Sequence, residues 1–188
     1  MSIAGYLQAS IGVLQDCIEH APIQNVERAI VEIGRTFDAG KPLLVCGNGG
    51  SASDASHIAG ELVGRFLKER RGLNCICLSA DSAVLTAWAN DYAYESVFAR
   101  QVEAYGAADG TLLGLSTSGN SRNVVEAFKA AKSLSMTTIA LTGQGGGDLA
   151  RHADILIDVP SRHTPLVQQA HACLYHYICE RVEAARPA

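Results

Sequence analysis

Along the first forty positions apolar residues recur at three- and four-residue steps. Ile3, Leu7, Ile11, Leu14 and Ile18 define an amphipathic helix over residues 2 to 19, and Val26, Ile30, Ile33 and Phe37 a second over Ile23 to Phe37. Asp38-Ala39-Gly40-Lys41-Pro42 ends that helix. The pattern then changes. Short unbroken apolar runs at 43–45, 73–78, 111–115, 137–141 and 155–159 alternate with helical spacing over 51–67, 95–105, 120–134 and 165–184. Residues 84–89 read as a short helix or turn, and 148–152 as a short helix. Continuous apolar strands between helices predict a parallel sheet covered on both faces. The fold class is therefore α/β, a doubly wound sheet of five strands with the expected order 2-1-3-4-5. No repeat or linker divides the chain, so residues 1–188 read as one domain, with residues 1–40 as a helical extension. The first helix precedes the sheet, and its stripe packs either on the chain's own sheet or against a copy of itself.

Composition narrows the class of partner. The formal net charge of −4 argues against a nucleic-acid binder, which would show a basic face. The six cysteines form no CxxC pair and sit mostly in apolar runs, as small hydrophobes do in a reducing compartment. No leader pattern and no long apolar span appears, so the expectation is a cytoplasmic protein with no membrane contact. The basic run Lys68-Glu69-Arg70-Arg71 reads as a solvated turn.

Chemistry concentrates where strands hand over to helices. The turn Gly47-Asn48-Gly49-Gly50-Ser51-Ala52 leaves the first strand and opens a helix that Ser51 or Ser53 can cap. Ser116-Thr117-Ser118-Gly119-Asn120-Ser121 leaves the third strand in the same way. In the expected strand order these turns lie side by side at the switch point, where such sheets bind ligands. Amides at a helix start and up to four hydroxyls suit a phosphate, although no lysine or arginine is built into the serine loop. An ordinary capped turn explains the loop equally simply. His57 and Glu61 stand four apart on one helix face, as a metal-binding pair, an acid and base, or a surface pair. The last helix carries Gln168, His171 and His176 among apolar residues, where a histidine is ordinarily a core or interface residue.

Taken together, these motifs resemble the sugar isomerase (SIS) family, most closely its phosphoheptose isomerase branch. The resemblance rests on Cys46–Ala52, His57 with Glu61, Thr86-Ala87 with Asn90-Asp91, 98–103, 116–121, 141–143, and Gln168 with His171 and His176. It implies the SIS fold and aldose–ketose isomerisation of sedoheptulose 7-phosphate to D-glycero-D-manno-heptose 7-phosphate. It implies a divalent metal, usually zinc, at His57, Glu61, Gln168 and His176, with Glu61 and His176 as the acid–base pair. Substrate contacts are implied at Asn48, Gly49, Gly50, Ser51, Asn90, Asp91, Ser116, Thr117, Ser118, Ser121 and Gln168, in a homotetramer with sites at subunit boundaries. Gln168 and His176 are eight apart, about 12 Å of rise on a straight helix, so sharing one ion requires a bend at Pro165 or a second subunit. Pro165 stands where the branch commonly has aspartate and Gln169 where it commonly has glutamate, which removes acidic groups expected behind the metal.

Three other readings remain open at this point. One is an isomerase for a related sugar phosphate of different length. Another is a non-catalytic SIS regulator binding a phosphosugar and a protein partner, although such members lack the acid–base pair. The last is a dinucleotide-binding dehydrogenase, with a loose GxGxxG at Gly47–Ala52 and Asp81 as the ribose acid.

Overall fold

The computed structural model describes residues 1–20 and 23–187. Two helices come first, α1 (Ile3–His20) and α2 (Ile23–Asp38), followed by β1 (Leu43–Gly47), α3 (Gly50–Val63) and β2 (Cys75–Cys77). The chain continues through α4 (Ser82–Asp91), a 3-10 turn (Tyr94–Ser96), α5 (Val97–Tyr105), β3 (Thr111–Ser116) and α6 (Arg122–Ser133). β4 (Thr137–Thr142), a second 3-10 turn (Gly147–Arg151), β5 (Ile155–Asp158) and α7 (Thr164–Ala184) complete it. All strand pairings are parallel, in the order β2-β1-β3-β4-β5, as the periodicity predicts.

Alternation along each strand divides the core between the two faces of the sheet. Leu43, Val45, Leu113, Leu115, Ile139 and Leu141 face α2, α3 and α7, where Ile33, Ile58, Leu62, Ile178 and Val182 meet them. Leu44, Cys46, Leu112 and Ala140 face α5 and α6, covered by Phe98, Val102, Val124 and Phe128. Every residue of β1 and β3 is buried. Their ends are level, Gly47 opposite Leu115, so the turns that follow them emerge together.

Several boundaries move, each for a local reason. Helix α3 stops at Val63 rather than near residue 67, because Glu183 at the far end of α7 takes the chain away from it. The Glu183 carboxylate accepts the backbone N–H groups of Phe66, Leu67 and Lys68 at 2.6–2.8 Å. It also pairs with Arg70 at 3.1 Å, with both side chains almost fully buried. The basic run is thus not a solvated turn: Arg70 turns inward and caps the Glu61 and Gly64 carbonyls. α3 begins on Gly49 with no side-chain cap, so neither Ser51 nor Ser53 performs that task. β2 keeps only three residues of the expected six-residue run. The first helix buries Val13 and Cys17 toward α7, while Ile3, Leu7, Ile11 and Ile18 stay exposed. Among the described residues no helix is long and apolar enough to cross a membrane.

Candidate active site

The turn after β1 and the loop after β3 are joined by side chains. Asn48 and Asn123, at the start of α6, exchange two amide hydrogen bonds of 2.8 and 2.9 Å. Tyr94 adds a third, donating its hydroxyl to Asn48 Oδ1 at 2.9 Å. Asn123 and Tyr94 carry no sequence motif; the register of β1 against β3 brings Asn123 there, and the packing of the 3-10 turn against α6 brings Tyr94. In the serine loop the hydroxyls of Ser116 and Ser121 lie 2.9 Å apart across the mouth of α6. Gly119 adopts a positive φ of 69°, and a Cβ on it would come within 2.0 Å of the Gly146 carbonyl, so only glycine closes this loop on its neighbour.

Helix α7 lies along α3 and carries the site from one end to the other. At the lower end Gln168 packs against Gly50 so closely that a Cβ on Gly50 would sit 2.5 Å from Gln168 Nε2. Two turns higher, His57 Nε2 lies 3.0 Å from Glu61 Oε1 and 3.4 Å from His176 Nε2. One ligand atom from each of these three residues falls within 4.8 Å of the others. Behind them the Tyr175 hydroxyl donates to Asp54 Oδ1 at 3.4 Å and lies 3.1 Å from His57 Nδ1. In that chain His57 donates from Nδ1, which leaves the Nε2 lone pair facing the Glu61 oxygen. Acceptors converge in this way only around a proton or a cation, so these residues fit a divalent metal. Burial pushes the Tyr175 hydroxyl up to about 12 and raises Asp54, whose hydrogen bond from Tyr175 and attraction to the nearby His57 and His176 only partly oppose the desolvation. Among the described residues the second oxygen of Asp54 is buried without a partner.

The placement of the remaining candidates divides by element. Asn48, Gly49, Gly50 and Ser51 line the first turn, with Ser51 buried, while Ser116, Thr117, Ser118 and Ser121 form the second. Asn90 and Asp91 end α4, exposed and bonded to each other at 2.8 Å. Gln168 packs on Gly50, seven residues before His57 along α3. Pro165 stands in the first turn of α7 and the helix is unbroken, so the bend that would bring Gln168 and His176 to one ion is missing. Gln169 points elsewhere, donating to the Tyr6 hydroxyl of α1 at 3.1 Å. His171 is a core residue, donating its Nε2–H to Thr142 O at 3.1 Å, and its burial lowers its pKa to about 4. Asp81 caps α4 through the N–H groups of Ala83 and Val84, which removes the proposed ribose acid of a dehydrogenase.

A doubly wound sheet with a glycine turn and a serine–threonine loop at its switch point, and a His–Glu–His group on the flanking helices, defines an SIS domain. The chain matches the SIS domain family over residues 5–143. It is 46% identical over 179 residues to a phosphoheptose isomerase of Crocosphaera subtropica, covering 95% of this chain and 91% of that one. A Helicobacter pylori phosphoheptose isomerase is 52% identical over 141 residues, covering 75% of this chain and 73% of its own. The solved phosphoheptose isomerase of Neisseria gonorrhoeae superposes with a TM-score of 0.92 at 37% identity, covering 97% of each chain. The chain belongs to the phosphoheptose isomerase family.

Proposed function

We propose that the protein interconverts sedoheptulose 7-phosphate and D-glycero-D-manno-heptose 7-phosphate through an enediol. The observation that carries this reading is the convergence of the Glu61 carboxylate with His57 and His176 on the α3–α7 face, in a chain whose switch-point turns suit a phosphate. Isomerisation moves a proton between adjacent carbons, and the obstacle is the weak acidity of a carbon next to a carbonyl. Glu61, with a side chain 21% exposed, removes that proton from one carbon and returns it to the next. His176 carries protons to and from the two oxygens. His57 is held by Tyr175 and orients the pair. Ser116, Thr117, Ser118 and Ser121 hold the phosphate, with Asn48, Gly49, Gly50, Ser51, Asn90, Asp91 and Gln168 along the sugar. A divalent metal held by His57, Glu61 and His176, with Gln168 as the fourth ligand across a subunit boundary and zinc the first choice, would supply electrostatic stabilisation of the enediolate charge.

Glu61 lies eleven residues beyond Gly50, about 16 Å of helix rise. A sugar phosphate gripped at one end of α3 therefore meets the acid–base group of another chain more readily than that of its own. This supports a homotetramer with composite sites, residues 1–188 acting as one SIS domain and the helices before β1 as its contacts. Free thiols throughout support a cytoplasmic setting.

The test is direct. A coupled assay on sedoheptulose 7-phosphate detects turnover in the wild type. Glu61→Gln keeps sugar-phosphate binding and lowers kcat by about 10²-fold or more. Turnover by Glu61→Gln close to wild type would remove the carboxylate from the mechanism.

A further inference from the structure

The cavity beside the serine–threonine loop contains a cation that the loop itself lacks. It encloses about 470 Å3 and is lined by Thr117, Ser118, Asn120, Gln144, Arg162 and Thr164. Arg162 reaches it from the segment between β5 and α7, and its Nε donates to Gln144 Oε1 at 3.2 Å. That bond holds the guanidinium at the rim. Among the described residues its two terminal nitrogens have no partner and are free to donate. Thr164 opens the 21-residue helix α7, and the N-cap residue His163 makes no side-chain bond there, so the positive end of a long helix meets the same space. No aspartate or glutamate is among the described residues lining it. The neighbouring Asp158 is engaged by the Gly145 N–H at 3.0 Å. The cavity also adjoins the glycine turn. Thr117 Oγ1 lies 3.4 Å from Thr164 Oγ1, and one turn further along α7 Gln168 packs on Gly50.

We infer that Arg162 is a phosphate-binding residue, gripping the terminal phosphate of the sugar phosphate together with the hydroxyls of Thr117 and Ser118. This inference rests on the sugar-phosphate reading above. A planar fork of N–H donors matches two phosphate oxygens at once, which neither the hydroxyls nor a lysine reproduces. Arg162 thereby supplies the charge that selects a phosphomonoester over the neutral sugar.

The experiment uses the full chain with Arg162→Ala and Arg162→Lys, both at an exposed loop position. Inorganic phosphate is the probe, titrated calorimetrically and used as an inhibitor of heptose-phosphate turnover. In Arg162→Ala, phosphate binds on the order of tenfold more weakly and KM rises in parallel, while kcat stays within about twofold. Arg162→Lys recovers only part of the affinity. Unchanged phosphate affinity in Arg162→Ala, or phosphate inhibition not competitive with the sugar, overturns the assignment. The two readings fail separately. A wild type that binds phosphate through Arg162 but does not isomerise a heptose phosphate removes the isomerase reading and leaves the arginine's role standing. An active wild type with an Arg162-independent phosphate site removes only the latter.

Discussion

Tyr175 sits where a small change has a readable effect. Its hydroxyl is the only described link between the half-buried carboxylate of Asp54 and the ring of His57, and it fixes which ring nitrogen faces Glu61 and His176. Removing that hydroxyl leaves the ring free to rotate without creating a cavity. Tyr175→Phe is therefore expected to weaken binding of zinc or cobalt(II) by about tenfold, with little change in thermal stability. Metal titration followed by cobalt absorption reads this without any assay of turnover. Identical metal affinity in the two proteins would show that His57 is oriented by something else. The His57–Glu61 pair was legible because four-residue spacing on a helix is a local property. Tyr175 was not, since a tyrosine between apolar neighbours looks like core, and it is indeed 3% exposed. Its role depends on which helix α7 lies against. The same holds for Asn123 and Tyr94, whose polar partners belong to other elements.

At the scale of elements, the pairing of α3 with α7 is secured at its upper end by Glu183. Burial by itself would raise the Glu183 pKa, but the three backbone N–H groups and the Arg70 guanidinium outweigh it and hold the carboxyl below the ordinary range. A lowered folded-state pKa means that the stabilisation is present at neutral pH. It is lost as pH falls below the unfolded value, about 4.3, through the lower folded one. Glu183→Gln leaves Arg70 charged, buried and unpaired, which costs about 3–5 kcal/mol, or on the order of 10 °C in Tm near pH 7. Thermal unfolding at pH 7 and near pH 3.5 checks both size and sign, because the gap between wild type and variant narrows in acid. A gap that widens in acid would contradict the assignment. Strand order and six of the seven helices were legible here, because unbroken apolar runs and three-to-four spacing are strong signals, whereas α4 was left between helix and turn. The end of α3 was not, because a residue 120 positions later in the chain terminates it. For the same reason a run of three cations and a glutamate hides one buried arginine.

For the whole molecule the open question is what covers α1. Its inner side packs Val13 and Cys17 against α7, but Ile3 and Ile18 are about three-quarters exposed, and Leu7 and Ile11 about half. The apolar pattern identified the helix and its stripe but left two destinations for it; within this chain the helix packs on α7 rather than on the sheet. A row of four exposed aliphatic side chains on one helix is costly in water and natural for a surface that meets its own copy. The distance along α3 between the phosphate-suited turns and Glu61 argues the same way, since a second chain would bring the two ends of the site together. Replacing Leu7 and Ile11 together by aspartate is therefore expected to shift the protein to smaller species in sedimentation velocity. The α3–α7 face does not include those side chains, so the far-ultraviolet circular dichroism of each chain is retained. If sites are composite, turnover falls with dissociation and recovers as protein concentration is raised; if each chain works alone, the dissociated variant keeps full activity. An unchanged sedimentation coefficient would instead show that the stripe on α1 takes no part in assembly.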